Sequence, residues 1–234
     1  MHELSQGLAQ ALRLVAGLDS PLFAIVWLSL KVSSVAVVCA ALIALPCGAW
    51  LAVSRFPGRN IILAVINGLM GLPPVVVGLL VYLMLSRAGP LGPLGLLFTP
   101  SAMMLAQTVL VLPIICALTV QVIQDAWGEY REQMLSLRAT PWQSVRALLW
   151  DTRFSLMTTV LAGFGRAIAE VGAVMIVGGN IDGVTRLMTT AIALETSKGD
   201  LPLALALGMV LIALVIAING LAQGLKTTAM NHYG

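Results

Sequence analysis

Long apolar stretches dominate the chain, and short polar segments separate them. A helix needs about 20 consecutive, mostly apolar residues to cross a bilayer. Five stretches reach that length: Leu22–Val53, Ile61–Leu85, Ala102–Ile123, Phe154–Val177 and Pro202–Leu225. The pattern therefore predicts an all-α integral membrane protein with five transmembrane helices.

The composition favours the same environment. Of the 234 residues, 59% are apolar and only 10% are charged, whereas soluble domains carry about 25% charged residues. The net charge of +3 reflects a shortage of carboxylates rather than a basic patch. We therefore expect the lipid bilayer as a partner and no nucleic acid.

The two ends of the chain lie outside the predicted spans. In residues 1–20, the leucines Leu4, Leu8 and Leu12 recur near one face of a helix, which predicts an amphipathic segment. Such a segment can lie at the membrane interface or pack on the helix bundle, and the sequence leaves both open. Residues 224–234 are expected to form a tail beyond the last span.

Three spans contain proline, which removes a backbone donor and disturbs a helix. We expect helix breaks at Pro73, Pro74 and Pro113, and the tandem in GLPPVVVG is the sharpest interruption. Such breaks serve either as packing kinks or as broken helices that line a substrate path.

Basic residues favour one side of the membrane. If loops alternate sides, seven basic residues fall on one side: Arg55, Arg59, Arg131, Arg138, Arg146, Arg153 and Lys226. The other side has four: Arg13, Arg87, Arg186 and Lys198. The positive-inside rule then predicts an outside N-terminus and a cytoplasmic C-terminus.

One polar insert, Glu129–Phe154, interrupts the apolar pattern. Asp125–Leu137 reads as an amphipathic helix that Arg138 and Ala139 end. Thr140 then has the features of an N-cap, followed by Pro141 at the first helical position and a glutamine two residues later. This second helix should run to about Asp151. The pair is either a simple connecting elbow or a docking site on the cytoplasmic side.

The insert resembles the EAA loop, the cytoplasmic coupling loop of binding-protein-dependent ABC transporter permeases. That loop reads EAA, three residues, Gly, nine residues, Ile, one residue, Leu-Pro. Glu132-Gln133-Met134 stands for EAA and Leu148 for the Ile. Arg138 replaces the usual Gly, and Trp150-Asp151 replaces Leu-Pro. Because arginine resists the positive φ that glycine permits, we expect a turn that differs in detail.

Two further stretches, Gly71–Gln107 and Phe164–Asp200, resemble permeases of tungstate-type ABC importers, relatives of molybdate and sulfate permeases. The likeness covers nearly the whole chain and implies a type I importer permease fold over residues 28–223. It also implies a homodimer in a bacterial or archaeal cytoplasmic membrane, two cytoplasmic ATPase subunits and an extracytoplasmic oxyanion-binding protein. The implied function is transport of an oxyanion, foremost tungstate, with molybdate or sulfate as alternatives.

The resemblance also implies that the insert docks the ATPase. The residues expected to carry this coupling are Glu132, Leu137, Arg138, Ala139, Thr140 and Pro141.

Ionisable residues inside a span are costly and are candidates for function. Arg166 and Glu170 are four residues apart in the fourth span, so on one helix they would share a face and pair. They either pin the span to its neighbours or attract a dianion without trapping it. Beyond the span, Asn180, Thr189 and Thr190 offer polar groups to an oxyanion, or simply form a polar loop face.

Enzyme chemistry has no support in the sequence. No GxxxxGK[ST] motif occurs, so ATP must be hydrolysed by a separate subunit. The two histidines lie near the termini, and the three cysteines lie in apolar stretches without CxxC spacing, which argues against a membrane redox enzyme. We expect no metal and no cofactor. A membrane channel is the alternative class, although its spans should repeat a polar face.

Overall fold

A computed structural model describes the backbone from Ser20 to Tyr233. The amphipathic segment predicted for residues 1–20 lies outside the described residues, apart from Ser20. Between Ser20 and Tyr233 the chain forms no β-strand, and it forms nine α-helices and one 3₁₀ helix. These are α1 Ser20–Val53, α2 Arg59–Leu69, α3 Pro74–Leu85, the 3₁₀ helix Gly92–Leu94, α4 Pro100–Ser136, α5 Pro141–Asp151, α6 Arg153–Ile168, α7 Gly172–Gly178, α8 Met188–Lys198 and α9 Leu201–Tyr233.

Three of these helices are long and apolar enough to cross a membrane: Leu22–Val53, Pro100–Ser136 and Leu201–Gly220. Two helix pairs, α2 with α3 and α6 with α7, each pass the same test together across a short break. The part of the chain that the structure describes therefore contains three to five spans, and the five predicted from the sequence agree with the upper number.

The break between α2 and α3 coincides with the proline tandem. Pro73 has extended backbone angles and caps α3, and Pro74 is its first residue. Both positions suit proline, because a helix leaves its first N–H groups unpaired and the residue before a proline avoids helical angles. The helix break predicted at Pro73 and Pro74 is therefore present.

The break predicted at Pro113 is wrong. Helix α4 passes through Pro113 and remains helical from Pro100 to Ser136. Pro46 is likewise enclosed in α1. A proline costs the helix one hydrogen bond, and neighbouring packing in a membrane helix can tolerate that loss.

The chain folds into two compact units, each built from separate stretches. The first unit contains Pro73–Gln107, Ala167–Ile218 and the described residues up to Val35. There, a Cβ added to Gly78 would lie 2.7 Å from the Cα of Ala173, so α3 and α7 are in close backbone contact. Small residues permit such contacts between membrane helices.

The second unit contains Ala36–Leu72, Thr108–Arg166 and the chain from Asn219 onwards. A Cβ at Gly48 would lie 2.9 Å from the carbonyl oxygen of Cys116, which brings α1 close to α4. Helix α5 joins this unit through a buried face of Ser144, Val145 and Leu148.

Candidate functional site

The insert belongs to the second unit, and its first helix is not a separate element. The sequence predicted a helix beginning at Asp125, but α4 is continuous from Pro100. The apolar span and the polar insert therefore share one helical rod. Nothing in the sequence between Ile123 and Asp125 stops a helix, so the change in polarity marks a change of solvent rather than of secondary structure.

The turn after α4 is a Schellman C-cap. Arg138 has a φ of 51°, in the left-handed region. The N–H of Ala139 donates to the carbonyl of Met134 at 3.0 Å, and the N–H of Arg138 donates to that of Leu135 at 3.0 Å. This bond pattern defines the Schellman motif, in which glycine usually takes the left-handed position. The prediction that Arg138 would change the turn is therefore wrong for the backbone, because Arg138 adopts the left-handed conformation that glycine usually takes.

Thr140 begins α5 with the predicted capping box. Its hydroxyl accepts a hydrogen bond from the N–H of Gln143 at 3.4 Å, and the side chain of Gln143 accepts one from the N–H of Thr140 at 2.8 Å. Pro141 occupies the first helical position. Two donors at the helix start are satisfied in this way, which fixes where α5 begins.

The outward face of the insert is strongly apolar. Leu137 and Trp150 are each 73% exposed, and Trp142 is 64% exposed. By contrast, Leu148, which stands at the family's Ile position, is buried. Glu132, in the last turns of α4, is also exposed. Exposed apolar patches on a folded protein usually mark contact with another protein or with lipid.

The fourth span breaks between Ile168 and Gly172, and this break was not predicted. Glu170 lies within it, so the expectation that Arg166 and Glu170 share one helix face is wrong. Arg166 lies in the last turn of α6 and belongs to the second unit, and Glu170 belongs to the first unit. The four-residue spacing of Arg166 and Glu170 could not reveal the helix break, because no proline lies between these residues.

Glu170 is only 2% exposed and stabilises the start of α7. Its Oε1 accepts a hydrogen bond from the N–H of Ala173 at 3.0 Å. Its backbone carbonyl accepts a bond from the Thr189 hydroxyl at 2.8 Å. A buried carboxylate that receives backbone donors at a helix N-terminus is stabilised by them and by the helix dipole.

Thr189, Thr190 and Asn180 belong to the same unit as Glu170. The Thr190 hydroxyl accepts from the N–H of Leu187 at 3.0 Å and donates to its carbonyl at 3.1 Å. The amide of Asn180 donates to the carbonyl of Thr190 at 3.4 Å. Both threonine hydroxyl protons are therefore given to backbone carbonyls, and these side chains hold the loop in place.

Gln107 is a further residue of this cluster that the sequence reasoning missed. It is buried in α4, and its Nε2 donates to the carbonyl of Ala167 at 2.9 Å. That carbonyl also accepts the N–H of Glu170 at 3.1 Å, so Gln107 adds a second hydrogen bond to it just before the break. A single carboxamide within an apolar span was the available signal.

Three more carboxamides line a cavity of about 210 Å³ in the second unit. They are Asn67 on α2 and Gln121 and Gln124 on α4. These positions also stand out in the sequence as polar residues near or within predicted spans. Their amide groups could donate hydrogen bonds to an anion or to water without adding charge. Among the described residues, no group of three or more His, Cys, Asp or Glu side chains could hold a metal ion.

Comparison with known proteins gives the family. The model of the family described as "Binding-protein-dependent transport system inner membrane component" matches residues 44–227. The tungstate uptake system permease protein TupB of Peptoclostridium acidaminophilum is 40% identical over 226 residues, which cover 97% of this chain and 99% of that protein.

Two other relatives are similar over most of their length. TupB of Campylobacter jejuni is 38% identical over 95% of this chain and 93% of its own. A Haloferax volcanii protein named "Probable anion ABC transporter permease protein" is 41% identical over 86% of this chain and 88% of its own. These matches confirm the resemblance found in the sequence, and the chain belongs to the family of binding-protein-dependent transport system inner membrane components.

Proposed function

We propose that the chain is the membrane-spanning permease subunit of an ABC importer that carries an oxyanion, foremost tungstate, into the cytoplasm. The observation that carries this proposal is the similarity to a tungstate uptake permease over 97% of the chain. A match of that extent covers all five apolar stretches and the insert, rather than one shared motif. Molybdate and sulfate are the alternative cargoes.

The insert is proposed as the docking site of a cytoplasmic ATPase. Its apolar surface of Leu137, Trp142 and Trp150 would be costly to leave in water. Glu132 adds a charge for orientation, and the turn from Arg138 to Pro141 sets the direction of α5. The coupling residues are then Glu132, Leu137, Arg138, Ala139, Thr140 and Pro141.

The continuity of α4 suggests how movement would reach the membrane. The insert and the third span share one helix from Pro100 to Ser136. When two ATPase subunits bind ATP and close, the insert would move and α4 would carry that displacement into the third span. Hydrolysis would take place on the ATPase, and the permease would alternate between outward and inward openings.

The substrate pathway is proposed to involve Arg166, Glu170, Asn180, Thr189 and Thr190. Arg166 would attract the dianion, and the carboxylate of Glu170 would keep the ion from binding too tightly. Because the threonine hydroxyls bond to backbone carbonyls, their proposed role is to hold the broken fourth span in shape. The break itself resembles the discontinuous helices that transporters use at substrate sites.

The assembly is proposed to be a homodimer of permease chains with two ATPases and an extracytoplasmic oxyanion-binding protein. Residues 28–223 would form the transport domain, and residues 224–234 would lie in the cytoplasm. The greater number of basic residues in the insert and the first loop supports a cytoplasmic insert and an outside N-terminus.

Uptake by cells with and without the gene tests the proposed cargo. Cells would receive equal tungstate, molybdate and sulfate, and internal tungsten, molybdenum and sulfur would be counted by elemental mass spectrometry. A selective loss of tungsten in the deletion strain, restored by the gene in trans, is the expected result. A selective loss of molybdenum or sulfur would reassign the cargo, and three unchanged levels would reject an oxyanion importer.

A further inference from the structure

A cavity of about 560 Å³ lies in the second unit beside the base of the insert. Its lining comes from the end of α1, the following loop, α4 and the start of α5. The proposed transport cycle gives it no role. It combines a wall of three aromatic rings with two arginines.

The aromatic wall is formed by Trp50, Phe56 and Trp127. The rings of Trp50 and Phe56 are stacked, with centroids 5.3 Å apart. Tryptophan is enriched where membrane meets water, because its ring is amphipathic and suits the headgroup level. Trp50 remains 44% exposed, so the wall is open to its surroundings.

The two arginines, Arg55 and Arg131, are free to bind an anion. Neither makes an ion pair or a hydrogen bond within the part of the chain that the structure describes. Arg59, in contrast, is already used, since its Nε donates to the carbonyl of Leu51 at 2.7 Å. Among the described residues that line the cavity, none is acidic. The cavity therefore combines positive charge with an apolar wall.

The level of the cavity follows from the hydropathy of its helices. The apolar part of α1 ends at Val53, two residues before Arg55, and the charged part of α4 begins at Asp125, two residues before Trp127. Both arginines thus lie at the edge of the predicted hydrocarbon region. Arginine and lysine at this level attract the phosphates of anionic lipids.

We propose that this cavity binds the headgroup of an anionic phospholipid. Arg55 and Arg131 contact the phosphate, with guanidinium groups suited to bidentate bonds. Trp50, Phe56 and Trp127 pack against the glycerol and the first acyl carbons. Bound lipid would fix the first loop against the insert, at the place where α5 turns away from α4.

Native mass spectrometry of the full-length chain in detergent tests the site. Phosphatidylglycerol, phosphatidylcholine and inorganic phosphate would be titrated separately. We expect one phosphatidylglycerol per chain, at least tenfold tighter than phosphatidylcholine, and no retention of inorganic phosphate. Equal affinity for the two lipids would overturn the proposal, and retention of inorganic phosphate alone would assign the cavity to a free anion.

Variants separate this cavity from general charge effects. Arg55→Gln with Arg131→Gln should lower the affinity for phosphatidylglycerol at least tenfold, and the corresponding lysine pair should retain part of it. Arg146→Gln is the matched control, because Arg146 is exposed on α5 outside the cavity. The proposal fails if the variant with both glutamines keeps full affinity for phosphatidylglycerol. If that variant keeps its lipid affinity and loses only ATPase binding, the cavity is assigned to the ATPase instead.

Discussion

Arg138 holds a backbone conformation that residues with a side chain rarely adopt, with a φ of 51°. The left-handed conformation costs an L-residue about 1–2 kcal/mol relative to its preferred helical angles. Glycine does not carry that cost, although it loses more entropy on folding. The same position of the same turn is therefore glycine in the family's motif and arginine in this chain.

Arg138→Gly should therefore stabilise the chain by about 1 kcal/mol. The measurement is the thermal unfolding midpoint of the purified chain in detergent, which should rise. Ala139→Gly is the control, since Ala139 has no positive φ and glycine there should lower the midpoint. If both substitutions lower the unfolding midpoint equally, Arg138 does not have the left-handed conformation.

Gln107 offers a second test at the scale of one residue. Gln107→Leu removes one of the two hydrogen bonds to the carbonyl of Ala167, which still accepts the N–H of Glu170, and should cost about 0.5–1.5 kcal/mol. Gln121→Leu, on the same helix, removes an exposed carboxamide and should leave the unfolding midpoint unchanged. Equal effects of the two substitutions would remove the special role given to Gln107.

Arg166 tests the proposed pathway. Arg166→Ala should abolish oxyanion uptake while the complex of permease and ATPase still assembles, because its charge serves the substrate rather than the fold. Arg87→Ala, at an exposed arginine of the first unit, is the control and should preserve uptake. Co-purification of the ATPase is measured beside uptake, and loss of assembly with Arg166→Ala would make the residue structural instead.

At the scale of elements, the insert carries the sharpest prediction. Glu132→Arg should reduce ATPase binding at least tenfold and abolish uptake, since Glu132 is exposed on the insert and the substitution reverses its charge. The spans should remain intact, which circular dichroism and gel filtration would check. Asp182→Arg is the control, a charge reversal at an exposed carboxylate of the first unit. Full ATPase binding with normal transport in Glu132→Arg would reject the coupling role.

Sequence patterns predicted some elements well for physical reasons. The start of α5 was predictable because Thr140, Pro141 and Gln143 each satisfy a local requirement of a helix N-terminus. The apolar spans were predictable because length and polarity alone decide whether a helix can cross a bilayer. Both signals depend on residues adjacent in sequence, so no tertiary information was needed.

Other elements depended on partners distant in sequence. The break after Ile168 is held by Gln107, which lies 60 residues away, and by Thr189. No residue next to Glu170 in the sequence indicates those hydrogen bonds, so the sequence predicted the fourth span as one helix. Conversely, Pro113 suggested a break that α4 does not have. The sequence showed the proposed site residues only as polar positions, and their mutual contacts required the fold.

In the whole molecule, the movement of the helices and the supply of energy are proposed to belong to different subunits. The chain supplies apolar helices, a polar cluster at a broken span and an exposed insert, and the proposed ATPase supplies the energy. A channel would use the same apolar helices without any need for the insert. The decisive difference is therefore whether transport depends on ATP.

The most direct measurement is tungstate accumulation in proteoliposomes that contain the purified chain, its ATPase and its binding protein. Tungsten inside the vesicles would be counted by elemental mass spectrometry with ATP, with a non-hydrolysable analogue and without nucleotide. We predict that tungstate accumulates above its external concentration only with ATP, and that it does not accumulate when the permease carries Glu132→Arg. Equal entry under all three conditions, ending at the external concentration, would contradict it and identify a channel.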